Sequence, residues 1–318
     1  MAKDVDEDPF WDLALSNAKE LLIDPDEQSE EGDPLHGTGH RWKTYNLPQL
    51  NESARHVSLK LAALPPTDGI WSPLGADAWY GSALLTALLF DSFALSTTEN
   101  SLNAFRQLFD KLQSTNSQSI RVLELGSGAV GLSGFAMASL LQLQSEQRVV
   151  EQDDSEHQKL KHQVLLTDND PDVLKQLKLN FKRNIAHYET SVKVTVCALD
   201  WSAHSLQNSI FQEGETIDLV IGAELVYSDD TAKACCACVQ TLLRQFPDLL
   251  VFIVQIIDRP GWENFLNDLR HEGFHVRERA IPLHYHHVAM QMIQMGGILD
   301  HFDYGSCFIS NPKNTLHT

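Results

Sequence analysis

The sequence predicts an α/β protein with a mostly parallel sheet whose strands are joined by right-handed crossovers. Two observations carry this: apolar strands alternate with amphipathic helices from residue 120 to residue 272, and a glycine-spaced turn directly follows the first of those strands. At 318 residues the chain can bury a substantial core, and one elaborated α/β domain over 35–318 plus an acidic tail over 1–34 is the economical division.

Taken in order, Arg41 to Tyr45 and His56 to Leu61 read as a small N-terminal β extension, a hairpin. Helices are expected over Ala78 to Phe90 and Asn100 to Leu112. An apolar strand over 120–125 leads into a small-residue, apolar helix over 132–143. Residues 144–162 are rich in Gln, Glu and Asp and read as a solvated insertion. A buried strand over 163–167 then precedes a helix over 171–184, where Val173, Leu174, Leu177 and Phe181 recur at helical spacing. Strands at 192–197, 217–223 and 249–256 follow, with helices at 229–246 and 261–272. The last two expected strands, near 275–281 and 288–295, have no helix assigned between them, so they should pair as a C-terminal antiparallel hairpin. Gly296 to Thr318 receives no element, and no internal repeat is visible.

Charge and cysteine content narrow the function. The net charge is −19, and about half of the excess lies in Met1 to Pro34, with twelve acids against two lysines. Such a segment reads as a mobile, solubilising tail or as one that steers a basic partner, with Phe10, Trp11, Leu13, Leu15, Leu21 and Leu22 able to form a short docking helix. Direct binding of duplex nucleic acid is disfavoured. No apolar run reaches the ~20 residues of a membrane span, and the first residues lack a basic start and an apolar signal core, which points to cytoplasm or nucleus. Five cysteines argue against a disulfide framework. Cys235, Cys236 and Cys238 on the expected 229–246 helix read as small buried thiols. His284 and His286 would share one face of a strand, but without a further ligand at that spacing no metal site is expected.

The chemistry lies at three strand ends. Val122-Leu123-Glu124-Leu125-Gly126-Ser127-Gly128-Ala129-Val130-Gly131 runs a strand into glycines that admit positive φ and leave bare backbone for a cofactor. Asp168 ends the second strand, where a carboxylate can accept from both ribose hydroxyls of an adenosine or else satisfy free amides at the next helix. The strand over 217–223 ends in Gly222-Ala223, small enough for a flat ring to pack against, and Glu224 and Tyr227 follow beside the same crevice.

With these residues the chain resembles the eukaryotic seven-strand, class I protein-lysine methyltransferases. The fourth strand of that family ends in a small residue, an acid, two apolar residues and an aromatic, matched here by Ala223-Glu224-Leu225-Val226-Tyr227. Leu199-Asp200-Trp201 is similar to its acid-Trp pair, and Gly75-Ala76-Asp77-Ala78-Trp79 to its Gly…Trp motif ahead of a helix; the likeness spans roughly Arg41 to Leu283. Position 224 is Glu where the family commonly has Asp. The resemblance implies a Rossmann-like class I methyltransferase fold and S-adenosyl-L-methionine as cofactor. Gly126, Ser127 and Gly128 would face its amino-acid part, Asp168 the ribose, and Trp201 with Ala223 the adenine, while Trp79 would wall the pocket. Glu224 and Tyr227 would line the acceptor channel, Glu224 as an orienting anchor and Tyr227 as an aromatic wall. The implied substrate is a basic, lysine-presenting protein. Two other classes share the glycine loop or the fold: a nicotinamide-dependent oxidoreductase and an inactive methyltransferase-fold scaffold.

Overall fold

The computed structural model describes residues 42–49, 55–64, 78–93, 119–151, 162–188, 191–201, 216–293 and 303–312. The acidic tail, the expected 100–112 helix and Gly75 to Asp77 lie outside them. In chain order the elements are β1 (Trp42–Asn46), β2 (Ser58–Ala62), α1 (Tyr80–Phe93), β3 (Arg121–Leu125), α2 (Leu132–Glu151), β4 (His162–Asp168), α3 (Pro171–Asn184), β5 (Val192–Ala198), β6 (Leu219–Ala223), α4 (Asp229–Gln245), β7 (Leu250–Ile256), α5 (Trp262–His271), β8 (His275–Ala280), α6 (Leu283–Ile293) and β9 (Tyr304–Ser310).

Seven strands form one sheet in the order β5-β4-β3-β6-β7-β9-β8, with β3 to β7 parallel and β9 antiparallel to both of its neighbours. Both faces are covered. Alternate residues Val122, Val164, Ile221, Phe252 and Phe308 enter one core with α1, α2, α3 and α6, while Leu123, Leu165, Val220, Val251 and Ile309 enter a second with α4 and α5. Cys235, Cys236 and Cys238 are buried in that second core as free thiols.

The expected N-terminal hairpin forms, and its free edge is covered in an unexpected way. Asn184 exchanges hydrogen bonds with both backbone groups of Lys60, at 2.9 and 2.8 Å, and Asn180 does the same with Ala62 at 2.8 and 2.9 Å. Two asparagines one helical turn apart on α3 thus satisfy backbone groups that an edge strand would leave unpaired. Asn180 also donates to the Ala129 carbonyl at 2.7 Å, tying the hairpin to the glycine loop.

Three expectations are corrected. The segment 283–293 is a helix rather than part of a strand, because Tyr285, Ala289 and Met292 fall at helical spacing and are buried together. His284 and His286 therefore lie on α6, and among the described residues no group of three or more His, Cys, Asp or Glu could hold a metal ion. The antiparallel partner of β8 is β9, drawn from the segment that had no assignment and inserted between β7 and β8. Finally, α2 continues to Glu151, eight residues into the expected insertion; the residues from 152 to 161 lie outside the described set. Among the described residues no helix is long and apolar enough to cross a membrane.

Candidate active site

The C-terminal ends of β3, β4 and β6 open onto a cleft of about 520 Å³, and Trp79, Gly126, Ser127, Gly128, Asp168, Trp201, Ala223, Glu224 and Tyr227 all line it. A cleft at this end of a parallel sheet is where such folds bind ligands.

The loop after β3 is shaped by its glycines. Gly126, Gly128 and Gly131 all have positive φ, at 59°, 63° and 61°. A Cβ on Gly131 would lie 2.4 Å from Leu177, so this third glycine is what lets the loop and the start of α2 close onto α3. Ser127 clips the loop to β4, donating its amide to the Thr167 carbonyl at 2.7 Å and accepting the Thr167 amide on its hydroxyl at 3.0 Å.

Asp168 stands opposite. Its carboxylate accepts the amides of Gly128 at 3.1 Å, Asn169 at 2.8 Å and Asp170 at 3.1 Å. The cap of α3 is the neighbouring Asp170, which accepts from Asp172 and Val173, so Asp168 is not needed in that role. Burial pushes the Asp168 carboxyl above the usual range, with the three amides opposing.

Glu124, which sequence reasoning missed as a site residue, lies beneath the loop and is fully buried. One oxygen accepts from the Ser133 hydroxyl, while Oε2 has no hydrogen-bond partner. A Cβ on Gly134 would lie 2.4 Å from that oxygen. Desolvation pushes this carboxyl upward, opposed by Ser127, Ser133 and the Gly134 amide, although none of these makes a hydrogen bond of good geometry to Oε2. An acid inside the apolar strand Val122 to Leu125 was the available signal, since a buried charge needs a partner.

At the far end, Glu224 is held in positive φ at 54°, a strained conformation for a residue with a side chain. Its side chain is 3% exposed. Oε1 accepts the Gly81 amide at 2.8 Å and the Tyr304 hydroxyl at 2.9 Å, and Oε2 pairs with Arg259 Nη2 at 3.1 Å. Burial dominates and raises its pKa, opposed by these three groups. The Arg259 guanidinium also lies over the Trp79 ring, 5.4 Å from its centroid. Behind this cluster, Tyr80 packs edge-on to Tyr304 and its hydroxyl lies 3.1 Å from His286 Nδ1. Tyr227 is exposed at the mouth. Gly81, Arg259 and Tyr304 carried no local sequence signal. Gly222 does not line the cleft: its missing side chain makes room for Leu225, which a Cβ would approach to 2.6 Å.

A model of the lysine methyltransferase family matches residues 75–272, more than half of the sequence. The chain belongs to that family. It is a methyltransferase with S-adenosylmethionine as its cofactor, and the strand order, with one antiparallel strand inserted beside the last parallel one, is that of the class I enzymes. The cleft fits that group: three positive-φ glycines form the cradle, and the orphan Glu124 oxygen suits an ammonium. No curated protein matches the sequence. Among solved structures, the methyltransferase is similar to a precorrin-6Y C5,15-methyltransferase from Geobacter metallireducens, at 11% identity over 68% of this chain and 93% of that one, with a TM-score of 0.37. It is also similar to the N-terminal domain of human METTL16, at 13% identity over 66% and 69%, with a TM-score of 0.41.

Proposed function

We propose that this methyltransferase acts on a lysine side chain of a basic protein. The observation that carries the reading is the composition of the cleft mouth beyond the glycine loop. The exposed aromatic rings of Trp79 and Tyr227 line the cleft together with Glu224, and the exposed Asp200 and Asp230 line it as well. Aromatic faces and carboxylates suit the long apolar stem and the cationic head of lysine as it enters.

When bound, the cofactor supplies an activated methyl group on a sulfonium centre. Gly126, Ser127 and Gly128 are assigned to its amino-acid part together with the orphan oxygen of Glu124, Asp168 to the ribose, and Trp201 with Ala223 to the adenine. Trp79 walls the pocket. Because the sulfonium is already a good leaving group, the protein's work is to position the nucleophile and exclude water. Glu224, whose four lone-pair sites are largely engaged by Gly81, Tyr304 and Arg259, is assigned as the anchor that fixes the acceptor end rather than as a proton acceptor. Tyr227 is the wall for the incoming side chain. We further propose that the partner is a protein and neither duplex nucleic acid nor membrane, and that the enzyme works in cytoplasm or nucleus.

The test is transfer of label from radioactive S-adenosylmethionine to a heat-treated extract of cells lacking the enzyme, with mass spectrometry of the labelled band. Label on lysine is expected, and Tyr227→Ala should cut transfer far more than it cuts S-adenosylhomocysteine affinity. Label confined to histidine, to RNA or to a small molecule would overturn the lysine assignment, and no label at all would leave a binding scaffold.

A further inference from the structure

The acceptor end of the cleft already holds a cation, and it belongs to the protein. Arg259 places its guanidinium 3.1 Å from Glu224 Oε2 and over the Trp79 ring, the two kinds of group that would otherwise receive a lysine ammonium. The backbone that carries it is held in a tight loop. The Arg259 amide donates to the Ile256 carbonyl at 3.3 Å, and its carbonyl accepts from Trp262 at 3.1 Å. Two residues on, Gly261 has φ 87° and lies so close to the start of α4 that a Cβ would meet the Ser228 carbonyl oxygen at 2.6 Å. This loop is therefore pressed against the turn that follows Glu224 and Tyr227.

We propose that Arg259 is a positioning residue that cancels the Glu224 charge at the acceptor end of the cleft, so that the channel takes its target lysine as a free amine rather than as an ammonium ion. The inference rests on the lysine reading of the site. An ammonium has no lone pair, so the target nitrogen must release its proton to water before it can accept a methyl group, and only ~0.1% of an unperturbed lysine is neutral near pH 7. A lone carboxylate beside it would lower that fraction further by favouring the charged form. With guanidinium and carboxylate paired, the Glu224 charge is cancelled where the amine must react, the Asp200, Asp230 and Asp258 carboxylates being exposed and screened by water, and desolvation in the cleft then favours the neutral form. Arginine suits the task because it stays protonated at every pH of interest.

The other titratable groups nearby do not supply this charge. Tyr80, on α1, has its hydroxyl pushed up to about 12 by burial, and Tyr304, on β9, is pushed up by burial and by Glu224 itself. Both stay neutral through the working range. On α6, burial lowers His286 below the ordinary histidine value, so it is neutral there too. The exposed Asp200, Asp230 and Asp258 add negative charge and are the same in wild type and in every variant tested.

The test is the initial rate of label transfer to lysine in the extract band from about pH 6.5 to about pH 9.5 at saturating cofactor. In Arg259→Gln the rising limb of the profile should move up by ~1 pH unit, a roughly tenfold loss near neutrality that disappears at the alkaline end, with unchanged S-adenosylhomocysteine affinity. Arg259→Lys should keep the wild-type profile. The double variant Glu224→Gln with Arg259→Gln removes both charges and should return the limb toward the wild-type position, and it keeps the test open if the single variant does not fold. An equal loss at every pH, an unmoved limb, or weakened cofactor binding would overturn the proposal. Wild-type enzyme that labels no lysine would instead defeat the reading on which it rests.

Discussion

Gly81→Ala separates a docked Glu224 from a free one by the sign of a stability change. Gly81 is the second residue of α1, and in a helix replacement of glycine by alanine ordinarily stabilises by about 1 kcal/mol. Here the added Cβ would lie 2.7 Å from Glu224 Cγ and 2.8 Å from Oε1. Relief by a shift of the backbone is closed off, because the Glu224 backbone is held at positive φ with its amide bonded to the Val254 carbonyl at 2.8 Å. The carboxylate must withdraw, losing the Gly81 amide and misaligning Tyr304 and Arg259. One hydrogen bond to a buried charge is worth ~1.5 to ~3 kcal/mol, so the loss outweighs the helix gain and the variant should be less stable by ~0.5 to ~2 kcal/mol. Urea unfolding of the ligand-free protein measures it. Transfer should fall at the same time, with S-adenosylhomocysteine affinity little changed. A variant more stable than the parent by about 1 kcal/mol would mean that the carboxylate does not sit against α1, and the anchoring role would fall with it.

Two further outcomes follow from the cofactor side. In Asp168, three of the roughly four acceptor sites of a carboxylate are taken by the Gly128, Asn169 and Asp170 amides, so Asp168→Ala releases the glycine loop as well as removing the proposed ribose contact. S-adenosylhomocysteine should bind ~1.5 to ~3 kcal/mol more weakly by calorimetry, and unchanged affinity in a folded variant would remove Asp168 from the pocket. Glu124 has its pKa raised by burial, so the folded state holds this proton more tightly than the unfolded state does. Its contribution to stability is greatest at low pH and declines as pH rises through the elevated folded value, above the ordinary carboxylate range. Glu124→Gln should raise the ligand-free melting temperature near neutral pH, flatten its decline with pH, and weaken cofactor binding. A lower melting temperature at neutral pH would show that the charged form is stabilised by partners.

The sequence alone carried the parallel core of the sheet and the glycine-loop end of the cleft. These depend on short-range features: apolar runs of strand length, glycines that accept positive φ at positions 126, 128 and 131, and the acid at 168, all within a few residues of a strand end. It did not reveal the last third of the fold. Strand β9 is buried on both faces and begins Tyr304-Gly305-Ser306-Cys307, so it shows neither alternation nor a long apolar run, and its place between β7 and β8 is set by the edge of β7 that needed a partner. The short helical period of α6 was hidden among histidines. The acceptor end was out of reach for a related reason. Glu224 stood out by its motif, but Gly81 is 143 residues before it, Arg259 is 35 after and Tyr304 is 80 after. None has a local pattern that predicts a meeting. Only the packing of α1, β9 and the β7–α5 loop around one buried carboxylate decides that Glu224 is already paired with a cation, because the cost of burying a charge is met by whichever donors the tertiary fold brings within reach.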